Sequence, residues 1–222
     1  MLSFARLVLV RHGQTAGNMA GLSARMSGLT DLPLTDQGVR EARATARALA
    51  REPRPDVIYT SPLARARTTA GILAEVLPAP LVVEPSLCEI DCGDADGLPL
   101  SEVQRRYPEA WARNLSQNDP DFRWPSGESY REFRARVLAG TRRIAAAHRG
   151  ERVLVVTHAG VVSQLIGFHF GVGPERWELF RPRNCSITEL AWYRDTIRVL
   201  RFDQVPAEVA ASAVSATLTP PA

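Results

Sequence analysis

Short apolar runs recur along the chain, and polar residues, proline or glycine bound each of them. Runs of this length predict buried strands, and near-continuous Val, Ile and Leu favour strands covered on both faces, as in a parallel sheet. The last two runs are joined by a turn at Arg194 and Asp195. The predicted strands are residues 7–10, 56–60, 81–83, 152–157, 186–192 and 197–202.

The segments between these strands repeat their apolar residues at helical spacing. Thr35 is the predicted N-cap of a helix that runs to about residue 50, and Ser61 with Pro62 is predicted to open a second helix that ends near 77. Further helices are predicted at 126–148 and 160–170. Alternation of strands and helices predicts an α/β fold, specifically a three-layer α/β/α sandwich around a mostly parallel central sheet.

One segment departs from this alternation. Residues 99–125 carry no strong strand signal, and we interpret them as a helical cap inserted over the carboxyl edge of the sheet. Beyond residue 205 the chain becomes rich in Ala, Ser, Thr and Pro, which favours disorder. We therefore expect a single domain over 1–205, with the cap at about 99–125, and a disordered tail over 206–222.

Composition narrows the class of protein. Hydrophobic residues make up 45% and charged residues 23%, with a net charge of +3, which is ordinary for a globular protein and does not indicate nucleic acid as a partner. An odd number of cysteines, Cys88, Cys92 and Cys185, argues against a disulfide framework and favours the cytoplasm. The N-terminus lacks a signal-peptide pattern, and no apolar stretch is long enough to span a membrane.

Three of the predicted strands end at residues able to carry chemistry. The first leads into Arg11 and His12, the second into a helix bearing Arg65, and the fourth into His158. Because ligands bind beyond the carboxyl ends of strands in open α/β sheets, we expect these side chains to share one crevice. Guanidinium groups match phosphate oxygens, and a neutral imidazole is a nucleophile.

Phosphoryl transfer also requires an acid for the leaving group. Glu89 follows the third strand and is the preferred candidate, and Asp91 two residues later is the alternative. His148 and His169 are interpreted as structural, because neither lies at a strand end. Arg105 and Arg123 are candidates either for binding a second anionic group or for plain surface charge.

An ordered series of motifs runs through almost the whole predicted domain. The motifs are LVRHGQT at 9–15 with Asn18, RMSG at 25–28, DLPLT at 31–35, SPLARA at 61–66, TTA at 68–70, Glu89 with Gly93 and Gly97, GES at 127–129 and THAG at 157–160. This series resembles the histidine phosphatase superfamily, in the branch that includes cofactor-dependent phosphoglycerate mutases and many small phosphatases. The resemblance implies a phosphoglycerate mutase-like fold.

The resemblance implies a role for each matching residue. His12 is the implied nucleophile, Arg11, Arg65 and His158 hold the transferring phosphoryl group, and Asn18 donates a further hydrogen bond to it. Glu89 protonates the leaving oxygen and then activates water. Neither a metal nor another cofactor is implied. The substrate pocket is assigned to Gln14, Thr15, Asn18, Arg25, Ser27, Gly28 and Ala159.

Several positions depart from the family pattern. Cys92 and Ala95 stand where the family often has larger aromatic residues, which predicts a wider pocket floor. Gln14 with Thr15 resembles the phosphatases, whereas mutases usually have Glu and Ser there. Ser163 stands where the family often has Arg, which removes a supporting contact but not the chemistry.

These observations predict a phosphomonoesterase that acts on a small phosphorylated metabolite through phospho-His12, with no nucleic acid or membrane partner. Three alternatives remain open: a phosphoglycerate mutase, a catalytically weak binding domain on the same fold, and a metal-dependent hydrolase. The substrate is not identified by the sequence. A homodimer formed through the late strands is likewise left open.

Overall fold

A computed structural model describes residues 4–19, 24–194 and 196–209 of the 222-residue chain. Its centre is a six-stranded sheet in the order β3-β2-β4-β1-β5-β6. The first four strands in this order are mutually parallel, whereas β5 and β6 are antiparallel additions at one side. The strands are β1 (Ala5–Arg11), β2 (Val57–Thr60), β3 (Leu81–Val83), β4 (Arg152–Thr157), β5 (Ile187–Tyr193) and β6 (Thr196–Gln204).

Helices cover both faces of the sheet, which confirms the predicted three layers. Alternate residues of β1 point to opposite faces, so Leu7 and Leu9 pack against α5 and α6, whereas Val8 and Val10 pack against α1 and α2. Two separate apolar cores result. The helices are α1 (Asp36–Leu49), α2 (Ala64–Ala74), α3 (Leu100–Arg106), α4 (Pro108–Ser116), α5 (Tyr130–Ala147) and α6 (Ala159–His169).

Local hydrogen bonds determine where the helices begin. Thr35 is the N-cap of α1, as predicted, because its side chain accepts from the Gly38 N–H. Helix α5, in contrast, begins at Tyr130 and not at 126, because Ser129 and Glu132 form a capping box. Ser126 has a φ of 61°, which is incompatible with a helix, so that predicted start is wrong.

The start of α2 also differs from the prediction. The N-cap is Leu63, so Ser61 and Pro62 precede the helix. The Ser61 hydroxyl still accepts a hydrogen bond from the Leu63 N–H, at 3.3 Å, which explains why the sequence resembles a cap there. The helix ends at Ala74, earlier than predicted.

Strand β3 corrects the expectation that every strand is covered on both faces. Its three residues, Leu81, Val82 and Val83, are 44%, 39% and 47% exposed. The strand lies at the end of the strand order, and none of its residues belongs to either apolar core. The apolar pattern alone did not distinguish an edge strand from a central one.

Residues 99–125 contain α3 and α4, and they form a third apolar cluster apart from the two cores. Val103, Phe122 and Trp124 contact Cys92 and Ala95 there, and Trp177 joins from a later segment. We call this the cap cluster. Of the predicted tail, residues 206–209 are described, and Val209 is buried. The remaining predicted disorder, and the turn residue Asp195, lie outside the described residues.

Two further findings concern the described ranges. The three cysteines are free thiols, with Cys88 half-buried and Cys92 and Cys185 buried. None of the described helices combines the length and the apolar character that crossing a bilayer requires.

Candidate active site

The three chemistry-bearing strand ends meet because β2, β4 and β1 are neighbours in the sheet. The His12 N–H donates to the Thr157 carbonyl at 2.9 Å, which places the end of β1 beside the end of β4. The His12 and His158 rings are 5.1 Å apart between centroids. Arg65 lies in the first turn of α2 and donates to His158. The structure thus brings together side chains that are remote in sequence.

His12 is held as a neutral imidazole. Its Nδ1 lies 2.8 Å from the Gly13 carbonyl, and because a carbonyl can only accept, the ring proton is assigned to Nδ1. The Nε2 lone pair is then available to attack phosphorus. Burial lowers the pKa of His12 well below 6.5, and the charges of Arg11 and Arg65 lower it further.

Arg11 is a buried cation with unused hydrogen-bonding capacity. Its Nη1 donates to the Pro182 carbonyl at 2.9 Å, while its Nε has no partner among the described residues. Burial lowers the pKa of Arg11 to about 10, with a further contribution from Arg181, so the guanidinium remains charged at neutral pH. A phosphoryl oxygen is the kind of acceptor that this side chain lacks.

Arg65 is almost completely buried and is fixed by three hydrogen bonds. Its Nη2 donates to the Gly28 carbonyl at 2.6 Å, its Nη1 to the Thr30 carbonyl at 2.8 Å and its Nε to His158 Nδ1 at 3.3 Å. A guanidinium has five N–H donors, so two remain for a ligand. Burial lowers the pKa of Arg65, which Glu89 and Asp31 oppose.

His158 has protein partners at both ring nitrogens. Its Nδ1 accepts from Arg65, so the proton of the neutral ring lies on Nε2, which donates to the Ser61 hydroxyl at 2.8 Å. Burial and the nearby Arg65 charge lower the pKa of His158 well below 6.5. Ser61 is not among the predicted site residues, although it belongs to the SPLARA motif. Its position at the end of β2 is the signal in the sequence, and that position also fits a helix cap.

Glu89 lies where the helix α6 begins. Its Oε2 accepts from the Gly160 N–H at 3.1 Å, and its Oε1 accepts from the Ile90 N–H at 3.1 Å. The Glu89 charge raises the pKa values of Arg11 and Arg65, so its carboxylate lies within electrostatic range of both. Asp91, the alternative acid, accepts from the Gly93 N–H at 2.8 Å within its own turn. The contacts therefore favour Glu89.

The residues after His12 supply a second set of polar groups. Asn18 accepts from the Thr15 N–H at 3.0 Å through Oδ1, but its Nδ2 is buried and has no partner among the described residues. That donor is free to bind a ligand oxygen. Gln14 differs, because its Oε1 accepts from the Thr35 hydroxyl at 2.9 Å. Thr15 is buried.

Of the remaining predicted pocket residues, two lie beside Arg65 or His158, and the other two contact other parts of the protein. Gly28 contacts Arg65 directly, and Ala159 begins helix α6 beside His158. Ser27 donates its hydroxyl to the Arg25 carbonyl at 3.2 Å. Arg25 is exposed and donates to the Gly97 carbonyl at 2.9 Å, so its guanidinium is held at the surface beside the cap.

Some functional contacts have no signal in the local sequence. Asn184 donates to the His12 carbonyl at 2.9 Å, and Pro182 accepts from Arg11, although both are about 170 residues away along the chain. The 28–30 loop that holds Arg65 is likewise fixed by Asp96. Within the described ranges there is no group of three or more His, Cys, Asp or Glu side chains that could hold a metal ion.

Comparison with known proteins adds an independent line of evidence. The family model of the histidine phosphatase superfamily (branch 1) matches residues 7–204. A metal-independent phosphoserine phosphatase of Arabidopsis thaliana is 40% identical over 158 residues, which cover 70% of this chain and 65% of that protein's length. The uncharacterized phosphatase PhoE of Bacillus subtilis is 36% identical over 167 residues, covering 75% of this chain and 78% of that protein.

Solved structures show the same architecture. Bacillus stearothermophilus YhfR superposes with a TM-score of 0.84 at 28% identity, covering 92% of this chain and 99% of that structure. A phosphoglycerate mutase from Bacillus anthracis superposes with a TM-score of 0.79 at 22% identity, covering 95% of this chain and 97% of that structure, which confirms the phosphoglycerate mutase-like fold predicted from the motifs. Phosphoglycerate mutases also occur among the relatives in sequence, so similarity alone does not separate a mutase from a phosphatase.

Proposed function

Because the chain belongs to the histidine phosphatase superfamily, we propose that it is a phosphomonoesterase that hydrolyses a small phosphorylated metabolite through a phosphohistidine on His12. Named phosphatases among its relatives support this activity. The single observation that carries the mechanism is the buried His12 ring, whose Nδ1 is fixed by the Gly13 carbonyl and whose Nε2 has no hydrogen-bond partner among the described residues. The lowered pKa of His12 favours the neutral ring.

In the first step, His12 Nε2 attacks phosphorus in line. The N–P bond forms as the bond from phosphorus to the leaving oxygen breaks, and the Glu89 carboxyl group gives a proton to that oxygen and becomes a carboxylate. Arg11 and Arg65 have unused cationic donors that neutralise the equatorial oxygens, and the free Asn18 Nδ2 donates a further hydrogen bond to them. The alcohol departs and leaves phospho-His12.

In the second step, the Glu89 carboxylate removes a proton from water, and the resulting nucleophile attacks phosphorus. The new O–P bond forms as the N–P bond breaks, so phosphate leaves, His12 is again neutral and Glu89 is again protonated. The same group acts first as acid and then as base, as microscopic reversibility requires when water replaces the alcohol. His158 orients a phosphoryl oxygen by exchanging its hydrogen bond to Ser61 for one to the ligand.

The competing function is a phosphoglycerate mutase, which returns the phosphoryl group to a substrate instead of releasing it. Gln14 and Thr15 follow the phosphatase pattern, whereas mutases usually have Glu and Ser at these positions. This observation favours hydrolysis. A mutase would depend on a bisphosphoglycerate primer, whereas a phosphatase would not.

We further propose that turnover requires no metal and that the protein works in the cytoplasm. The chemistry above uses only side chains of this chain, and the Arabidopsis relative carries metal independence in its name. Three free thiols suit a reducing compartment. Preincubation with a chelator is expected to leave turnover unchanged, and loss of activity that returns with added metal would favour metal-dependent hydrolysis instead.

A phosphate-release screen over phosphorylated metabolites tests the proposal. The wild-type protein is expected to release phosphate from at least one small monoester without a primer, and vanadate is expected to inhibit. His12→Ala should abolish the release, whereas His148→Gln, which alters a histidine bound to Tyr59 and Glu151, should not. Full turnover by His12→Ala would refute the nucleophile. Transfer of the phosphoryl group between phosphoglycerates that depends on a bisphosphoglycerate primer, without net release of phosphate, would identify a mutase.

A further inference from the structure

A short loop, residues 28–30, lies between two opposite charges. The Asp96 carboxylate accepts three of its backbone N–H groups: Gly28 through Oδ1 at 2.8 Å, and Leu29 and Thr30 through Oδ2 at 2.6 and 2.9 Å. The carbonyls of the same loop face the other way. Those of Gly28 and Thr30 accept from the two terminal nitrogens of Arg65, at 2.6 and 2.8 Å.

Five short hydrogen bonds thus connect an acid and a cation that have no direct contact. Each bond is charge-assisted, because one partner is ionised, and such bonds are stronger and more directional than neutral ones. The two carbonyls determine the position of Arg65 Nη1 and Nη2. The Leu29 N–H and the Gly28 carbonyl belong to one peptide group, so the carboxylate fixes that carbonyl directly. The Thr30 carbonyl lies on the same residue as the Thr30 N–H that the carboxylate binds, so the carboxylate restrains its position as well. The position of the carboxylate thereby determines where the guanidinium lies.

The segment that carries Asp96 is itself packed closely against this loop. The Gly97 N–H donates to the Met26 carbonyl at 2.8 Å, and the Asp96 N–H donates to the Gly93 carbonyl at 3.0 Å. Gly97 has a φ of +76°, and a Cβ there would lie 2.9 Å from the Thr30 hydroxyl. The loop is therefore held in one position by its surroundings.

We propose that Asp96 is a positioning residue for phosphoryl transfer: it fixes the 28–30 loop so that Arg65 presents its two remaining N–H donors to the transferring phosphoryl group. This inference rests on the proposed function, because it assigns Arg65 a ligand. Asp96 touches neither the substrate nor the reacting atoms. Its charge also opposes the loss of the Arg65 proton.

Asp96→Asn tests the proposal with little change of shape. One acceptor oxygen becomes an NH₂ group that faces backbone N–H donors, so the loop must shift and Arg65 loses its alignment. We expect kcat to fall by about tenfold or more, because small misplacements of a catalytic group are costly, and the affinity for vanadate to fall with it. Asp96→Glu, which keeps the charge, should recover part of the loss. Asp94→Asn, an exposed change in the same turn, should keep both values.

A double-mutant cycle with Arg65→Gln separates positioning from a general structural role. If Asp96 acts through Arg65, then Asp96→Asn should reduce kcat by less than about twofold in the Arg65→Gln background, since residues that act as a unit are not additive. Equal losses in both backgrounds would overturn the proposal, as would an unchanged kcat in Asp96→Asn alone.

Two further measurements distinguish positioning by Asp96 from a structural role and from failure of the proposed function. If Arg65→Gln does not fold, kcat and vanadate affinity of Asp96→Asn are measured well below its Tm. A purely structural role would lower Tm but leave both values of the folded protein unchanged, which would overturn the proposal. Retention of full turnover by His12→Ala would instead refute the proposed function, so the two failures are distinguishable.

Discussion

His12 is the nucleophile of the proposed mechanism, and its surroundings favour the neutral ring. Burial and the positive charges of Arg11 and Arg65 all lower its pKa, and only the Gly13 carbonyl opposes them. A protonated imidazole has no lone pair with which to attack. The low pKa therefore ensures that the nucleophile remains available when the solution becomes mildly acidic.

This environment predicts the acid limb of the pH profile. Because the pKa of His12 lies well below 6.5, the free enzyme keeps its nucleophile as the pH falls through 6.5 and loses it only at lower pH. Protonation of His12 should therefore cause no loss of kcat/KM as the pH falls through that value. A profile measured with one phosphomonoester, in buffers of constant ionic strength, checks this. A loss of kcat/KM on acidification with its midpoint at or above pH 6.5 would contradict it.

Arg65 and Arg67 lie two residues apart on α2 and provide a matched pair. Arg65 is buried and points into the site, whereas Arg67 is exposed. Arg65→Gln should lower kcat by about 10²–10³-fold, the loss typical when one preorganised electrostatic donor is removed. Arg67→Gln should keep kcat near the wild-type value. Steady-state kinetics of the two variants, with circular dichroism to verify folding, distinguishes them, and equal losses would contradict the assignment.

For single residues, the sequence indicated the candidate reactive side chains but not the side chains that they contact after folding. His12, Arg65 and His158 follow strand ends, and that position is visible in the pattern of apolar runs. The contacts of Ser61 with His158 and of Asp96 with the 28–30 loop depend on which side chains meet after folding. Such pairs leave no repeating pattern in the local sequence, so the sequence did not predict them.

Among the elements, the start of α6 matters most for the proposed chemistry, because it holds the carboxylate of Glu89. Gly160 is the second residue of this helix, and its N–H donates to Glu89. A Cβ at this position would lie 2.1 Å from Glu89 Oε1 and 3.0 Å from a carbon of the Phe133 ring. The glycine is therefore needed so that the carboxylate can approach the helix.

Gly160→Ala should impair catalysis more than folding. The added methyl group displaces the Glu89 carboxylate by an ångström or so, and kcat should fall by up to about 10²-fold. Gly71→Ala is the control, since a Cβ in that α2 position meets nothing within 4 Å. The control should keep kcat and gain about 0.5–1 kcal/mol of stability from helix propensity. Kinetics and urea denaturation measure both, and an unchanged kcat in Gly160→Ala would contradict the role of Glu89.

Helix starts were the least predictable feature of the elements. The sequence placed the start of α5 at 126, but the capping box of Ser129 with Glu132 and the left-handed Ser126 place it at Tyr130. Both candidate caps are serines followed by an acid. The choice between them depends on backbone dihedral angles that residue types alone do not specify.

At the scale of the whole molecule, the two buried histidines link stability to pH. Below pH 6.5 the unfolded chain binds protons at His12 and His158, whereas the folded protein excludes them because both pKa values are lowered. The free energy of unfolding must therefore decrease as the pH falls from 6.5. Glu52 and Glu84 have lowered pKa values too, but their effect begins only near 4.5 and below.

His158→Gln isolates part of this effect. Each excluded proton contributes a slope of up to about 1.4 kcal/mol per pH unit. The free energy of unfolding of the wild-type protein should therefore fall more steeply between about pH 6.5 and 5 than that of the variant, by up to this amount. Urea denaturation at several pH values provides both slopes, and the effects common to the two proteins cancel. Parallel slopes would contradict a neutral, buried His158.

The overall architecture was more predictable than its edges. Four parallel strands follow from apolar runs alternating with amphipathic helices, because burial on both faces favours such runs. Strand β3 looked equally buried in the sequence, yet its exposure is set by its place at the end of the strand order. Strand order is a property of the assembled sheet, so a local pattern does not contain it.

Trapping the phosphorylated enzyme tests the central claim most directly. Glu89→Gln is mixed with a radiolabelled aryl phosphate, whose leaving group needs no acid, so the first step proceeds while hydrolysis of the intermediate is slowed. Rapid quenching in alkali followed by peptide mass spectrometry should find one phosphoryl group on His12, labile to acid and absent from His12→Ala. Label on another residue, or full turnover without any labelled protein, would contradict the account.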